Sequence, residues 1–214
     1  MRRAHELLRP RTYLEIGVET GATIRLANPD TLVIGIDPAP ELTGPPPRNV
    51  AIFKATSDQF FARRNVVQDF GGRPIDLAFI DGNHLFEFVL RDFINVERNA
   101  APTSTILLHD CYPMDEVTAQ RERTTAFSTG DSWKVVLCLK RYRPDLKIHT
   151  LASPPSGLTV VRGLDPASRK LESQLDALHK EFIDLPYSVL GEDKPAALNL
   201  VPGDWETARA LLAL

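Results

Sequence analysis

The sequence predicts an α/β fold in which a mostly parallel sheet carries helices on both faces. Short apolar, β-branched runs alternate with segments of helical spacing, the pattern of strands joined by crossover helices. The runs are almost continuously apolar, as expected of strands that are covered on both faces. Residues 145–152 and 157–164 form the last two runs, and only "SPPS" separates them. So short a link predicts an antiparallel hairpin at the end of the sheet.

Five earlier runs predict the other strands, at residues 12–16, 31–37, 49–55, 75–81 and 104–110. A short N-terminal helix is predicted in "MRRAHELLRP", ended by Pro10. The segment "GVETGATIRLA" (17–27) predicts a turn followed by a helix. A further helix follows the fourth run, because apolar residues recur at helical spacing between Phe86 and Val96.

The C-terminal part of the chain is predicted to be helical. Leu171, Leu175, Leu178 and Phe182 form one apolar stripe, which is typical of a packing face. Asp204 is predicted to cap a last helix, "GDWETARALLAL". The apolar residues of that helix could pack on the domain or on a second subunit, and the sequence does not choose between them.

Composition and charge exclude several classes of protein. The 214 residues suit one domain or two small ones, and a net charge of −3 provides no broad basic face for nucleic acid. No apolar run is long enough to cross a membrane, and the N-terminus lacks the apolar stretch of a signal peptide, so we expect a cytoplasmic protein. Cys111 and Cys138 could form one disulfide, but reduced thiols are the expectation for such a chain.

Polar residues stand at the ends of the predicted strands. In an open α/β sheet these ends meet at the edge where ligands bind. "EIGVETG" offers glycines at 17 and 21, where the backbone must turn tightly, and its spacing is not the dinucleotide fingerprint. Asp37 follows about 20 residues later, where an acid can bind both hydroxyls of a ribose. The alternative is that Asp37 only caps the turn before Pro38.

Five motifs in order resemble those of class I S-adenosylmethionine-dependent methyltransferases: "YLEIGVETGATI", "VIGIDP", "KATSDQFF", "DLAFIDGNHLFEFVLRD" and "ILLHDCYP". More narrowly, they resemble the bacterial small-domain group with F-I-D-G-x-H and H-D strand ends, similar to metal-dependent O-methyltransferases. The resemblance runs from Tyr13 to Arg162 and includes "GDSWKVV". It implies a Rossmann-like seven-stranded sheet with an antiparallel terminal hairpin. It also divides the chain into a cofactor-binding domain (1–164) and a C-terminal helical extension (165–214), packed on the domain or at an oligomer interface.

The resemblance implies a set of residues that bind S-adenosylmethionine. Glu15 and Gly17 would line its methionine end, and Gly21 would open the helix beside it. Many relatives have a further glycine where this chain has Glu19, which would either contact the cofactor amine or remain a solvated acid.

For the other end of the cofactor, the resemblance implies that Asp37 would hold the ribose. Ser57 and Asp58 would then lie beside the adenine ring.

Two neighbouring predicted strands end in acids, Asp81 and Asp110. Two carboxylates that face one space repel each other unless a cation lies between them, and oxygen ligands suit Mg²⁺ or a similar ion. The family resemblance implies a metal there that holds a substrate hydroxyl. His84, three residues after Asp81, is the first candidate for general base, and His109 is the second. The plain alternatives are that His84 caps a helix and that Asp81 holds a backbone turn.

These observations predict an enzyme that methylates an oxygen of a small molecule, a sugar or phenol hydroxyl of a natural product or glycan precursor. The acceptor is not identified, although the long polar segment 111–131 is typical of a lid and contains Arg121 and Arg123, which could bind an acidic substrate. Two alternatives stay open. One is a metal-centred enzyme of hydroxylase-like type on the same fold, and the other is a module that binds cofactor or partner without turnover.

Overall fold

The computed structural model describes residues 1–213, and its centre is one eight-stranded sheet in the order β3-β2-β1-β4-β5-β7-β6-β8. The strands are β1 (Thr12–Ile16), β2 (Leu32–Asp37), β3 (Val50–Lys54), β4 (Ile75–Ile80), β5 (Ala100–His109), β6 (Lys147–Leu151), β7 (Leu158–Arg162) and β8 (Leu200–Val201). Strand β7 pairs antiparallel with both β5 and β6, and the remaining pairs are parallel. The mostly parallel sheet with a terminal antiparallel hairpin is therefore confirmed.

The expected seven strands are joined by an eighth. Strand β8 pairs in parallel with β6, through Thr150 opposite Leu200 and Leu151 opposite Val201. Its two residues lie in "LNLVPG", too short an apolar run for a period-of-two pattern to be recognised.

Helices cover both faces of the sheet. Among residues 1–213 they are α1 (Arg2–Leu8), α2 (Ser57–Arg63), α3 (Val66–Asp69), α4 (Phe86–Arg98), α5 (Trp133–Tyr142), α6 (Leu175–Phe182), α7 (Lys194–Ala197) and α8 (Trp205–Ala213). None of the helices in this described part combines the length and apolarity that crossing a bilayer requires. The predicted Asp204 cap is confirmed, since its carboxylate accepts from the Thr207 N–H at 2.9 Å.

The prediction of a helix within residues 17–27 is wrong. Only a single 3₁₀ turn, Ile24–Leu26, forms there. Gly17, Glu19 and Gly21 all have positive φ angles, of 88°, 47° and 76°, which a right-handed helix does not contain. The loop backbone is instead tied to the end of β2, as described below.

The core has one layer on each face of the sheet. Leu14, Ile16 and Ile80 face a layer built largely from α4 and α5, whereas Tyr13 and Phe79 face the layer that includes α1 and α8. The C-terminal residues join the same layers, with Leu171, Leu178, Phe182, Leu190 and Leu198 in the first and Leu212 in the second. The packing role of the Leu171 stripe is confirmed, although Leu171 precedes α6. A role of these helices in an oligomer stays a prediction.

The strand order reverses between β1 and β4, because the chain adds β2 and β3 on one side of β1 and then returns to the other. Loops that leave the carboxyl ends of β1 and β4 diverge at such a point and open a crevice. The crevice is where the predicted site residues should meet.

Candidate functional site

A cavity of about 660 Å³ opens at this crevice. Eight of the predicted site residues line it: Gly17, Asp37, Ser57, Asp58, Asp81, His84, His109 and Asp110. The segment 123–128 closes part of the cavity through Arg123, Ala126, Phe127 and Ser128. The sequence pattern at the strand ends therefore predicted which loops come together.

The β1 loop is shaped by Asp37, at the end of β2. One of its carboxylate oxygens accepts from the backbone N–H groups of Val18 and Glu19, at 2.9 and 2.8 Å. The other accepts from the Ala39 N–H at 2.7 Å, so Asp37 does cap the turn at Pro38. The carboxylate also lines the cavity, which leaves ribose binding as a prediction.

Glu19 has the left-handed conformation that glycine adopts most easily, with φ 47°. This is the region in which the resembled family often has a further glycine. The side chain is exposed at the rim of the cavity. Glu19 thus lies at the cavity, and contact with the cofactor amine stays a prediction.

Glu15 does not line the cavity, contrary to the expectation. Its side chain is 1% exposed and accepts from the Tyr13 hydroxyl at 2.5 Å. Successive side chains of a strand point to opposite faces, so residues two apart, such as Tyr13 and Glu15, share one face. Tyr13 belongs to the layer that includes α1 and α8. Burial raises the pKa of Glu15 to about 8. The hydrogen bond from Tyr13 lowers this pKa, and the negative charge of Asp81 raises it further.

Gly21 is also absent from the cavity wall. Its N–H donates to the Val18 carbonyl at 2.8 Å, closing a turn with φ 76°. Gly21 therefore stabilises the conformation of the loop but does not line the cavity.

Ser57 and Asp58 begin α2 at another wall of the cavity. The Thr56 side chain caps this helix in a reciprocal box with Gln59, which fixes the first turn. Asp58 is already engaged, because Arg91 of α4 donates to both its oxygens at 3.1 and 2.8 Å.

Two acids and two histidines form a cluster at the ends of β4 and β5. The His84 ring lies between the two acids, with Nε2 3.3 Å from Asp81 and Nδ1 3.1 Å from Asp110. The His109 Nδ1 lies 3.2 Å from Asp81 and 3.3 Å from Asp110. Asp110 is buried and has φ 57°, a strained conformation for a non-glycine residue.

Each histidine of the cluster is shifted toward its charged form. Burial alone would lower the pKa of His109, but hydrogen bonds and charges from Asp110 and Asp81 raise it to about 10. The pKa of His84 is raised in the same way. Burial would raise the pKa of Asp81, yet the two histidines hold it well below its usual range. The cluster thus balances two carboxylates with imidazolium charge.

The same cluster fits a divalent cation. Asp81, His84 and Asp110 each offer one ligand atom, and these atoms lie within 4.8 Å of one another. Asp110 Oδ1 is buried and has no hydrogen-bond partner of acceptable geometry among residues 1–213. Carboxylate oxygens with one imidazole suit Mn²⁺ or Zn²⁺ as well as Mg²⁺.

Asp131, which the sequence did not single out, joins the lid to the site. It is 1% exposed, and it accepts from the Phe86 N–H at 2.7 Å and from Arg121 at 2.7 Å, with Lys134 3.0 Å away. Its own N–H donates to the His84 carbonyl at 2.9 Å. Arg121 also binds Glu87 at 2.7 and 2.9 Å, so it is a structural cation rather than one free for substrate.

Asp92 also lies in the site, although the sequence pattern predicts for it, as for Glu87 and Arg91, only a local ion pair or helix cap. It lines the cavity from α4, is 2% exposed, and its Oδ1 finds no partner among the described residues. On a helix that carries Glu87 and Arg91, an acid is indistinguishable by pattern from a surface ion-pair member. Only its position on the inward face of α4 separates it from them.

Residues 14–111 match the family described as "Methyltransferase domain". No curated protein sequence matches the chain. Among solved structures, the O-methyltransferase TomG from Streptomyces achromogenes, involved in tomaymycin synthesis and in complex with SAM, has a TM-score of 0.59 and 15% identity, over 77% of this chain and 79% of that one.

An O-methyltransferase from Bacillus cereus in complex with SAH has a TM-score of 0.56 and 14% identity, over 75% of this chain and 77% of that one. The methyltransferase PaMTH1 from Podospora anserina, bound to SAH, has a TM-score of 0.56 and 12% identity, over 77% of this chain and 76% of that one. At such identities the likeness establishes the fold.

Proposed function

We propose that the protein is a class I S-adenosylmethionine-dependent methyltransferase that methylates a hydroxyl oxygen of a small molecule. The match of residues 14–111 to the family described as "Methyltransferase domain" and the shared fold support this proposal. The observation that carries the proposal is the cluster of Asp81, His84, His109 and Asp110 in the wall of the cavity that Gly17, Asp37 and Ser57 also line. An acceptor held at the cluster would share one enclosed space with the cofactor.

The cofactor supplies a methyl group already activated on sulfonium, so the protein has to align the acceptor, exclude water and remove a proton. We assign proton removal to the neutral form of His84, the half-buried imidazole at the cavity wall, with His109 as the second candidate. Burial would lower the pKa of His84, but the carboxylates raise it overall. A cation held by Asp81 and Asp110 would oppose that rise and favour the neutral ring. Asp81 orients both rings, and the segment 123–128 covers the site from solvent.

We further propose that Asp81 and Asp110, with His84 adjacent, hold a divalent cation during turnover. Such an ion would lower the pKa of an acceptor hydroxyl. The sugar or phenol hydroxyl of a natural product or glycan precursor is the proposed acceptor class. The lid residue Arg123 is an arginine at the cavity wall, but its guanidinium donates to the backbone carbonyls of Thr125 and Ala126, so an acidic acceptor would have to compete with them.

Calorimetric titration with S-adenosylhomocysteine, first with Mg²⁺ and then with EDTA, tests the cofactor and the ion separately. We expect saturable binding in both conditions and a change of affinity or enthalpy on removal of the metal. A folded sample that does not bind S-adenosylhomocysteine would contradict the proposed function. If the titrations with Mg²⁺ and with EDTA are identical, both without an acceptor and with catechol present, the proposed metal site is contradicted. The proposed cofactor is then still supported.

Turnover is tested with Asp81→Asn and His84→Ala, with Asp69→Asn as a matched control because Asp69 is an acid paired with Arg64 outside the cavity. With catechol and sugar acceptors, we expect the two site variants to bind S-adenosylhomocysteine but to lose most methyl transfer, and the control to behave as wild type. Unchanged turnover in both variants would contradict the catalytic assignment. Oxidation of an acceptor, or binding without any turnover, would instead favour the hydroxylase-like or the non-catalytic alternative.

A further inference from the structure

Asp92 is a buried carboxylate in the cofactor cavity that the proposed chemistry does not use. It projects from α4, 2% exposed, and lines the cavity next to Ser57, Asp58 and Phe88. Its Oδ1 has no hydrogen-bond partner among residues 1–213. A buried acceptor without a donor is costly, so such a group is expected to have a ligand partner.

The neighbouring charges do not satisfy Asp92. Arg91 directs its guanidinium to Asp58, at 2.8 and 3.1 Å, and lies over the Phe88 ring at 4.6 Å. Burial raises the pKa of Asp92 to about 7, with the charge of Asp58 adding to the rise, while the Ser57 hydroxyl and the charge of Arg91 lower it. The raised pKa agrees with a buried carboxylate whose Oδ1 has no donor among residues 1–213.

The position of Asp92 within the cavity limits which part of a cofactor could supply that donor. Asp92 interacts with Ser57, at the start of α2, whereas the acid–histidine cluster lies at the ends of β4 and β5. If the methyl group faces that cluster and Asp37 faces the ribose, the base lies at the α2 wall. The exocyclic amine is the hydrogen-bond donor that an adenine base carries there.

We propose that Asp92, rather than Asp58, accepts the hydrogen bond from the adenine amine of the cofactor and so makes the site selective for adenine. This inference rests on the proposed function, since it takes S-adenosylmethionine as the ligand. Asp58 would then act indirectly, by holding Arg91 over Phe88 and away from the cavity.

The test compares S-adenosylhomocysteine with S-inosylhomocysteine, in which a 6-oxo acceptor replaces the amine donor. The titration is done at pH 8, above the Asp92 pKa of about 7, so that the carboxylate is mostly ionised. Wild type should then bind the adenine compound roughly tenfold to a hundredfold more tightly, the range for a hydrogen bond to a charged group. In Asp92→Asn the new amide can donate to the 6-oxo group, so the preference should fall about tenfold or more. Asp58→Asn should keep most of the wild-type preference, and Asp69→Asn, outside the cavity, all of it.

Two results would overturn the inference alone: an unchanged preference in Asp92→Asn, or a preference lost in Asp58→Asn and kept in Asp92→Asn. If Asp92→Asn does not fold, as judged by its melting curve, wild type is titrated with the N6,N6-dimethyl analogue, which has no donor. Equal affinity for that analogue would also overturn it. Failure of wild type to bind S-adenosylhomocysteine at all would overturn the proposed function and the inference with it.

Discussion

The backbone of Gly17 lies directly against the carbonyl group of Asp81, so a Cβ atom built on Gly17 would be 2.0 Å from the Asp81 oxygen. The two strand ends are also joined by the Asp81 N–H, which donates to the Ile16 carbonyl at 2.8 Å. This contact fixes the spacing between the β1 loop, where the cofactor is expected, and the first acid of the cluster. No side chain could occupy position 17 without separating them.

Gly17→Ala is therefore expected to weaken S-adenosylhomocysteine binding by at least tenfold and to lower the melting temperature. The matched control is Gly71→Ala, because Gly71 also has positive φ, 65°, but a Cβ there would meet nothing within 4 Å. Both variants bear the conformational cost, about 1 kcal/mol, and only Gly17→Ala adds the clash. Equal melting temperatures and affinities in the two variants would show that the close approach is unimportant.

Much of the site was predictable because the end of a buried strand can be recognised where a continuous apolar run gives way to polar residues. Asp37, Asp81 and Asp110 each follow a continuous apolar run, and the direction of a parallel sheet brings such ends to one edge. The hairpin at 145–164 was predictable for a similar reason, since its four-residue link permits one topology.

The errors come from the side of the sheet that a strand residue faces and from contacts between residues distant in sequence. Glu15 was expected beside the ligand, but the alternation of β1 turns it toward Tyr13. The helix after Gly17 was expected from its apolar residues, but Asp37 holds the loop backbone in another shape. Asp92 and Asp131 matter because of partners distant in sequence, which a pattern of nearby residues does not show.

Asp131→Asn should destabilise the fold by about 3 kcal/mol, the range for breaking a buried ion pair. The amide oxygen can still accept from the Phe86 N–H, but the charge that faces Arg121 and the buried Lys134 is lost. Urea denaturation measures the difference. Asp69→Asn, which breaks the more exposed pair with Arg64, should cost less than about 1 kcal/mol. Similar losses in both variants would show that the Asp131 network has no special structural role.

Neither thiol should react with a disulfide reagent in the native protein. Cys111 and Cys138 are free and fully buried, and burial raises the pKa of each to about 12. The reactive thiolate is therefore scarce at neutral pH, and the reagent has no access to it. The absorbance of the coloured thiolate released by the reagent should report both thiols only after denaturant is added. In Ala167→Cys, the cysteine at an exposed position should react at once. Rapid native labelling of Cys111 would mean that the site opens beside Asp110.

Glu15→Gln should make stability less dependent on pH. The folded-state pKa of Glu15, about 8, lies above its unfolded value of 4.5, mainly because of burial. The folded state thus binds the proton more tightly, so this contribution is fully present below about pH 4.5 and is lost as pH rises through about 8. Glutamine keeps an acceptor for the Tyr13 hydroxyl without a charge. Urea denaturation from pH 5 to pH 8 should show a smaller decline in unfolding free energy for the variant, by on the order of a few kcal/mol. Parallel curves for variant and wild type would place the titrating group elsewhere.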